Sequence, residues 1–374
     1  MSEPVTFALV DLGTLGRNLG AIRTATNRPI LLPVKANAYG HGLIEVGTTA
    51  VNQGWADWLG VATVDEGVAL REAGVTAPIL KLSGTLASEA AAAVGHGLTL
   101  AITELAGAEA ANAAALARGV VARVHLKIDT GMRRVGVPDT AAADVAARLE
   151  ELPGLELEGV FTHLAVSDVP VEDDFTALQL DRFAAAVAAI TERLGRRPTI
   201  VHAANSGAVL GHPEAWWDLV RPGIMSYGYY PDATTPRSIP VEPVLSWYTH
   251  LTQVKTVAAG DTVSYGRTWA PTADTRVGTF PVGYGDGFNR WLSNLGSILI
   301  GGGRYPQVGR VCMDQSMADL GPDSTAKTGD RVTLIGTDGA ERITADDVAK
   351  LLGTISYEVL CNIAHRVPRV HVEA

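Results

Sequence analysis

The 374-residue sequence holds only two cysteines, Cys312 and Cys361. Neither sits in a Cys-x-x-Cys pair, and no grouping of His and Cys has zinc spacing. A disulfide scaffold and a metal site are therefore not expected. Positive charge is scarce too: 30 Lys and Arg stand against 40 Asp and Glu, a net charge of −10. Such a chain repels phosphate backbones, so a nucleic-acid partner is disfavoured. No run of about 18 apolar residues occurs, so no membrane span is expected. Residues 1–11 lack the basic start and apolar run of a signal peptide, and a cytoplasmic location is the expectation.

Hydrophobic residues make up 47% and charged residues 19%. These are ordinary globular values, and they supply a large core. The length suits two domains.

Short β-branched or Leu-rich runs recur through the first 225 or so residues. They are Ile30–Val34, Trp58–Ala62, Ile79–Leu82, Leu98–Ile102, Val121–Ile128, Leu157–Thr162, Thr199–Val201 and Leu219–Val220. Ala-rich stretches of helical character, such as Thr103–Arg118 and Phe175–Leu194, separate most of them. Strands alternating with helices predict an α/β fold, a (β/α)8 TIM-type barrel spanning 11–237. From Ser238 the pattern changes to clustered turn residues between short apolar runs, which predicts a mostly β domain over 238–374. Pro231, Pro236, Pro240 and Pro243 mark the expected linker. The segment Val5–Val10 precedes the first helix and is expected to join the β domain.

In such barrels the chemistry sits where strands end and βα loops begin. The first strand here ends in Lys35, and the fifth in Lys127, with Asp129 and Arg134 just beyond. The sixth runs into His163, the seventh leads to His202, Asn205 and Ser206, and the eighth ends in Arg221, Pro222, Gly223 and Ile224. One lysine or histidine alone is more often a solvated charge or a satisfied core residue. Agreement across five strand ends on one face points to a site. The loops after strands seven and eight offer a Ser hydroxyl and Gly-permitted backbone N–H groups, which suit a phosphate dianion. A lysine beside a phosphate site points to pyridoxal 5'-phosphate (PLP) attached through the amine.

The segment Val34-Lys35-Ala36-Asn37-Ala38-Tyr39-Gly40-His41-Gly42 resembles the PLP-lysine motif of the alanine racemase family. Further segments match in family order: 127–132, Phe161-Thr162-His163, Asn205-Ser206, 221–224, Val263-Ser264-Tyr265-Gly266, 283–287, 311–315 and 357–361. The resemblance spans both predicted domains. It implies an isomerase interconverting L- and D-alanine, with Lys35 and Tyr265 as the two bases on opposite faces of the substrate α-carbon. Two groups are needed because one base cannot easily serve both faces.

The resemblance also implies Arg221 at the pyridine nitrogen, oriented by His163. Tyr39, Ser206, Gly223, Ile224 and Tyr357 would hold the phosphate. Arg134 and the Met313 N–H would bind the substrate carboxylate, and Lys127 matches a lysine often carbamylated in the family. Arg133 is the competing choice for Arg134, disfavoured by its spacing from Lys127. Tyr284, Arg290 and Arg310 would line the entrance. A cytoplasmic homodimer with shared sites, making D-alanine as a peptidoglycan precursor, is implied as well.

Racemases of serine, lysine or arginine on the same fold are the nearest rivals. Basic amino-acid decarboxylases share the domain plan but place a carboxylate at the pyridine nitrogen. PLP carriers of this barrel type lack the β domain.

Overall fold

The structure, a computed structural model, describes residues 4–373. The chain forms two units. One comprises Leu15–Ala38 with Gly42–Glu242, and the other comprises residues up to Thr14, Tyr39–His41 and the chain from Pro243 onward.

After β1 (Phe7–Asp11), the first unit is built on parallel strands β2 (Leu31–Pro33), β3 (Trp58–Val61), β4 (Ile79–Lys81), β5 (Thr99–Ile102), β6 (Ala122–Asp129), β8 (Leu155–Phe161) and β9 (Ile200–His202), which pair in that order. A two-residue β7 (Val137–Pro138) adds to the end of β6. Every residue of β2 to β5 is buried. Parallel strands covered on both faces lose alternation and read as continuous apolar runs. Helices such as Leu43–Asn52, Leu105–Arg118 and Asp173–Leu194 cross between the strands.

The eighth strand expected at Leu219–Val220 is not a regular strand. Its place is taken by 218–221, bonded on both sides. The Asp218 and Arg221 N–H groups donate to Val201 O (3.0 Å) and Ala204 O (2.9 Å), while Val220 N donates to Pro29 O (3.0 Å) and Leu31 N to Val220 O (2.9 Å). The bridge Ile30↔Val220 is parallel. Backbone bonds thus close the barrel, and Arg221 stands at the end of the closing segment. Leu31, Trp58, Leu80 and Leu219 fill the interior next to this seam.

The proline-rich stretch belongs to the barrel unit, and the division falls between Glu242 and Pro243 rather than at 237/238. Side chains tie it down. Asn18 exchanges two hydrogen bonds with the Glu242 backbone, at 2.8 and 2.9 Å, and Ser238 Oγ donates to Leu210 O at 2.6 Å.

The second unit is mostly β. Its larger sheet runs β14 (Gly303–Pro306), β13 (Ser297–Ile300), β16 (Arg331–Asp338), β10 (Leu245–His250), β1 and β18 (Arg369–Val372), with β17 (Glu341–Ile343) on β16. β1 pairs antiparallel with β10 and parallel with β18. A separate sheet orders β11 (Gln253–Val257), β12 (Thr275–Phe280) and β15 (Ser316–Asp319). Among the described residues no helix is long and apolar enough to cross a membrane, and no His, Cys, Asp and Glu cluster could hold a metal ion.

Candidate active site

In the barrel unit, Lys35 follows β2 and opens a left-handed helical turn. Ala36, Asn37 and Ala38 have φ of 53°, 56° and 53° with ψ near 50°. Left-handed backbone costs L-residues about 1–2 kcal/mol each, so it must be held from outside. Glu66 does part of this: its carboxylate accepts from Ala36 N at 2.7 Å as well as from Ala62 N at 2.8 Å. The Asn37 side chain accepts from Leu43 N at 2.9 Å. The turn aims Lys35 by backbone geometry that its own residues would not choose.

Arg221 is buried, with 4% of its surface exposed. Its Nη1 donates to His202 Nδ1 at 2.8 Å, and its Nη2 donates to the Thr162 and Ala203 carbonyls, each at 2.8 Å. His163 Nδ1 lies further off, 3.4 Å from Nη2. His202, more than His163, orients the guanidinium. The Nε–H takes no part in these bonds and remains a donor for another group. Burial lowers the Arg221 pKa to about 9, so the side chain stays cationic at neutral pH. Phe161 lies beneath it, 5.6 Å from guanidinium carbon to ring centroid, with Lys127 Nζ 5.0 Å from the same ring.

Lys127 is also buried. Desolvation first, then the positive charges of Arg221 and Arg134, hold its amine well below the usual lysine range. Arg134 is near enough to act on both Lys127 and His163. Arg133 is turned elsewhere: its N–H donates to Asp129 Oδ1 at 3.0 Å and its guanidinium lies 3.8 Å from the same carboxylate.

The loops after β9 and the closing segment meet at Ser206. Its Oγ accepts from Gly223 N at 2.9 Å and Met225 N at 3.4 Å, which leaves its own proton free to point elsewhere. Asn205 caps the helix Ser206–Gly211 by accepting from Ala208 N. A hydroxyl, clustered backbone N–H groups, a strand-end lysine and a buried arginine with a spare N–H form a donor set that fits an anionic, phosphate-bearing ring cofactor.

The β unit carries the remaining predicted residues. Tyr265 lies on a tight turn between β11 and β12 and is 74% exposed; Ser264 and Gly266 on either side have φ of 67° and 71°. The Ser264 hydroxyl fixes the turn by donating to Arg310 O at 2.8 Å. Met313, Tyr284 and Arg290 are exposed as well. The loop 283–287 packs tightly on 312–313: a Cβ on Gly283 would sit 2.2 Å from Cys312 O. Arg366 clamps both loops through Asp286 (2.7 Å) and Asp314 (2.7 Å). Tyr39 is buried with its ring 6.0 Å from that of Tyr357, and burial followed by the Cys361 charge pushes its phenol pKa up.

The N-terminal domain family of alanine racemases matches residues 10–231, and its C-terminal domain family matches 244–371. The alanine racemase of Cutibacterium acnes is 48% identical over 366 residues, covering 98% of this chain and 97% of that one. The chain belongs to the alanine racemase family. Among solved structures, alanine racemase from Clostridium difficile 630 aligns with a TM-score of 0.94 at 34% identity, over 100% of this chain and 97% of that one. The alanine racemase from Bacillus anthracis with bound L-Ala-P aligns at 0.92 and 34%, over 100% and 96%.

Most motif residues of this alanine racemase family member lie at strand ends or in loops, but Lys127 lies inside β6, Tyr357 lies on the helix Ser356–Cys361, and Tyr39 groups with the β unit rather than with the barrel. Sequence reasoning left three site residues without a role: His202, His125 and Glu158. His202 was visible at a strand end; His125 and Glu158 lie inside strands, where only the fold brings them to the others.

Three histidines, the buried His125 and His202 and the part-buried His163, carry a consequence for stability. Desolvation is the first cause that lowers the pKa of His125, His163 and His202, and the Arg221 charge pushes each the same way. Unfolding frees them to bind protons near pH 6.5. Below that pH the unfolded chain holds more protons than the folded one, so stability falls on acidification until the folded pKa values are reached. Each histidine contributes a slope of about 1.4 kcal/mol per pH unit in that window. Denaturant titrations between pH 7 and 5, above most carboxylate titration, should show a steep loss. A flat profile would mean that these histidines already ionise in the folded protein.

Proposed function

We propose that this protein is a PLP-dependent racemase that interconverts L- and D-alanine. The observation that carries the reading is Arg221: a buried group, cationic at neutral pH, beside a lysine-bearing strand end and a hydroxyl-and-amide cluster. When bound, PLP supplies an electron sink that acidifies the α C–H of an amino acid. The chain's residues do the rest. Lys35 would hold the cofactor and move a proton on one face of the α-carbon, and Tyr265 would do so on the other. Ser206, Gly223 and Ile224, with Tyr39 and Tyr357 from the β unit, would take the phosphate. Arg221 would direct its Nε–H at the ring nitrogen; because arginine gives up its proton reluctantly, it would leave that nitrogen unprotonated and so weaken the sink. A weaker sink limits transamination. Arg134 and Met313 N–H would hold the substrate carboxylate, and Tyr284, Arg290 and Arg310 would line the way in.

Lys127 is read as a carbamate. Its depressed amine is neutral and nucleophilic, and its addition to CO2 with loss of one proton would give a carbamate anion near the charges of Arg221 and Arg134. The enzyme is read as a homodimer with Tyr265 and Met313 acting in trans, because both side chains are exposed on a single chain, as are Trp291 (79%) and Leu295 (58%) of the same unit. A cytoplasmic supply of D-alanine for peptidoglycan precursors completes this reading.

The deciding assay is D-product formation from L-alanine, L-serine, L-lysine and L-arginine with added PLP. Alanine is expected to turn over fastest, and preference for another amino acid would replace the substrate assignment. Borohydride treatment of the yellow holoenzyme should fix the cofactor on the peptide bearing Lys35. Recovery on Lys127 or Lys81 would remove the lysine assignment. In ¹³C-bicarbonate the same protein should show a carbamate carbon signal that Lys127→Ala abolishes.

A further inference from the structure

A line of side chains runs through the barrel interior from Glu158 to Arg221. Glu158 Oε2 lies 3.3 Å from His125 Nε2, His125 Nδ1 lies 2.9 Å from His202 Nε2, and His202 Nδ1 lies 2.8 Å from Arg221 Nη1. We propose that Glu158 and His125 are positioning residues for Arg221, acting through His202. The proposal rests on the reading of Arg221 as the ring-nitrogen donor.

Only one proton arrangement satisfies this line. Arginine has donors and no acceptor. His202 Nδ1 must therefore present a lone pair, and its Nε2 carries the proton. That proton is donated to His125 Nδ1, so His125 also carries its proton on Nε2 and gives it to the Glu158 carboxylate. An extra proton on either ring would set two N–H groups face to face. Glu158 is thus joined to His125 by a hydrogen bond to a neutral ring, not by an ion pair, and it sets the polarity of the whole line.

Several features are arranged around this line. The β6–β8 register passes from Val124↔Leu157 to His125↔Gly159, so Glu158 is the extra residue of a bulge. Bulges re-aim side chains, and this one lets Glu158 reach across to His125. Gly159 leaves room for the imidazole: a Cβ there would fall 2.9 Å from His125 Nδ1 and 2.7 Å from Ile200 O. His202 stacks on Phe161 at 4.8 Å and 6°, which fixes its ring plane, and Trp58 packs at 5.4 Å from His125. The Arg123 guanidinium lies 3.7 Å from Glu158 Oε1.

Without the carboxylate, the Arg221 donor would be left alone to hold the tautomer of His202, with no acceptor anchoring the proton of His125. A proton on His202 Nδ1 would oppose the Arg221 N–H and turn the guanidinium, moving its Nε–H off line.

The first readout is independent of activity. In ¹⁵N-histidine-labelled full-length protein, with and without PLP, both rings should be neutral with the proton on Nε2. Glu158→Leu should give mixed tautomers at His202. It should also lower kcat about tenfold, one hydrogen bond's worth, with KM unchanged and a larger share of transamination. Glu158→Gln, whose side-chain oxygen still accepts, should restore tautomer and rate. If Glu158→Leu does not fold, His125→Phe keeps the ring packing, removes both nitrogens and should give the same signature. A proton on His202 Nδ1 in the wild type, or wild-type kcat and tautomers in the variant, would overturn the proposal. So would a loss of kcat with unchanged tautomers, because the effect would then bypass His202. A wild type that racemises no alanine would remove the reading of Arg221, while the tautomers would still decide the line itself.

Discussion

Mixing Lys35→Ala and Tyr265→Ala proteins, each nearly inactive alone, should restore about one quarter of wild-type activity once subunits exchange. Random pairing makes half of the dimers hybrids. If Tyr265 serves the partner's site, each hybrid has one site with both lesions and one with none, so half of the sites in half of the dimers work. If Tyr265 serves its own chain, every site keeps one lesion and no activity returns, however long the exchange. The exposed turn that carries Tyr265 is the physical motive. A group that must move protons beside a carbanion needs shelter from water, and a 74% exposed tyrosine on a single chain has none. Full inactivity of the mixture, with exchange verified by differently tagged chains, would return the tyrosine to its own subunit.

Arg221→Glu should slow racemisation about 100-fold or more, the scale of losing a preorganised donor, while raising the fraction of turnovers that end in pyruvate. A carboxylate accepts where arginine donates. It favours a proton on the ring nitrogen, strengthens the electron sink and lengthens the life of the carbanion, which opens the way to transamination. The same change strips donors from His202 Nδ1 and from the Thr162 and Ala203 carbonyls. Each buried acceptor left unpaired costs about 1–3 kcal/mol, so a fall in melting temperature should accompany the kinetic change. Arg221→Lys separates the two effects: it keeps the charge but cannot make the fork of bonds, and it should lose rate without gaining transamination. Unchanged partitioning in Arg221→Glu would show that the group at this position does not govern the ring nitrogen.

Much of this was legible in the sequence for a local reason. Buried parallel strands are short apolar runs, and β2 to β5 stand out as such. Catalytic motifs are contiguous because one loop presents them. The elements that escaped obey different rules. The stretch 218–221 makes the bonds of a strand without the length of one, so no periodicity marks it. Strand β15, Ser316–Asp319, has the alternating burial of a sheet with one covered face, and its polar residues hid it among turns. The left-handed turn at 36–38 is written in Ala and Asn, neither of which prefers that backbone over a right-handed helix; outside bonds impose it. His125 and Glu158 meet through a bulge and a two-strand register, information that belongs to the pairing and not to either segment.

The barrel's closing segment also sets the order in which the site can come into being. Ile30 and Val220 lie at opposite ends of the barrel sequence, and their bridge is among the most distant pairings of that unit. Loop-closure entropy makes such a contact a late event in folding. During synthesis, β2 to β9 can line up one after another as they emerge, but Lys35 faces no phosphate cluster and Arg221 has no fork of acceptors until residues 218–224 have left the ribosome and sealed against residues 29–31. On the proposed reading, cofactor capture would thereby be deferred to the end of barrel assembly, and a nascent chain halted before Arg221 would present Lys35 without the groups proposed to act beside it.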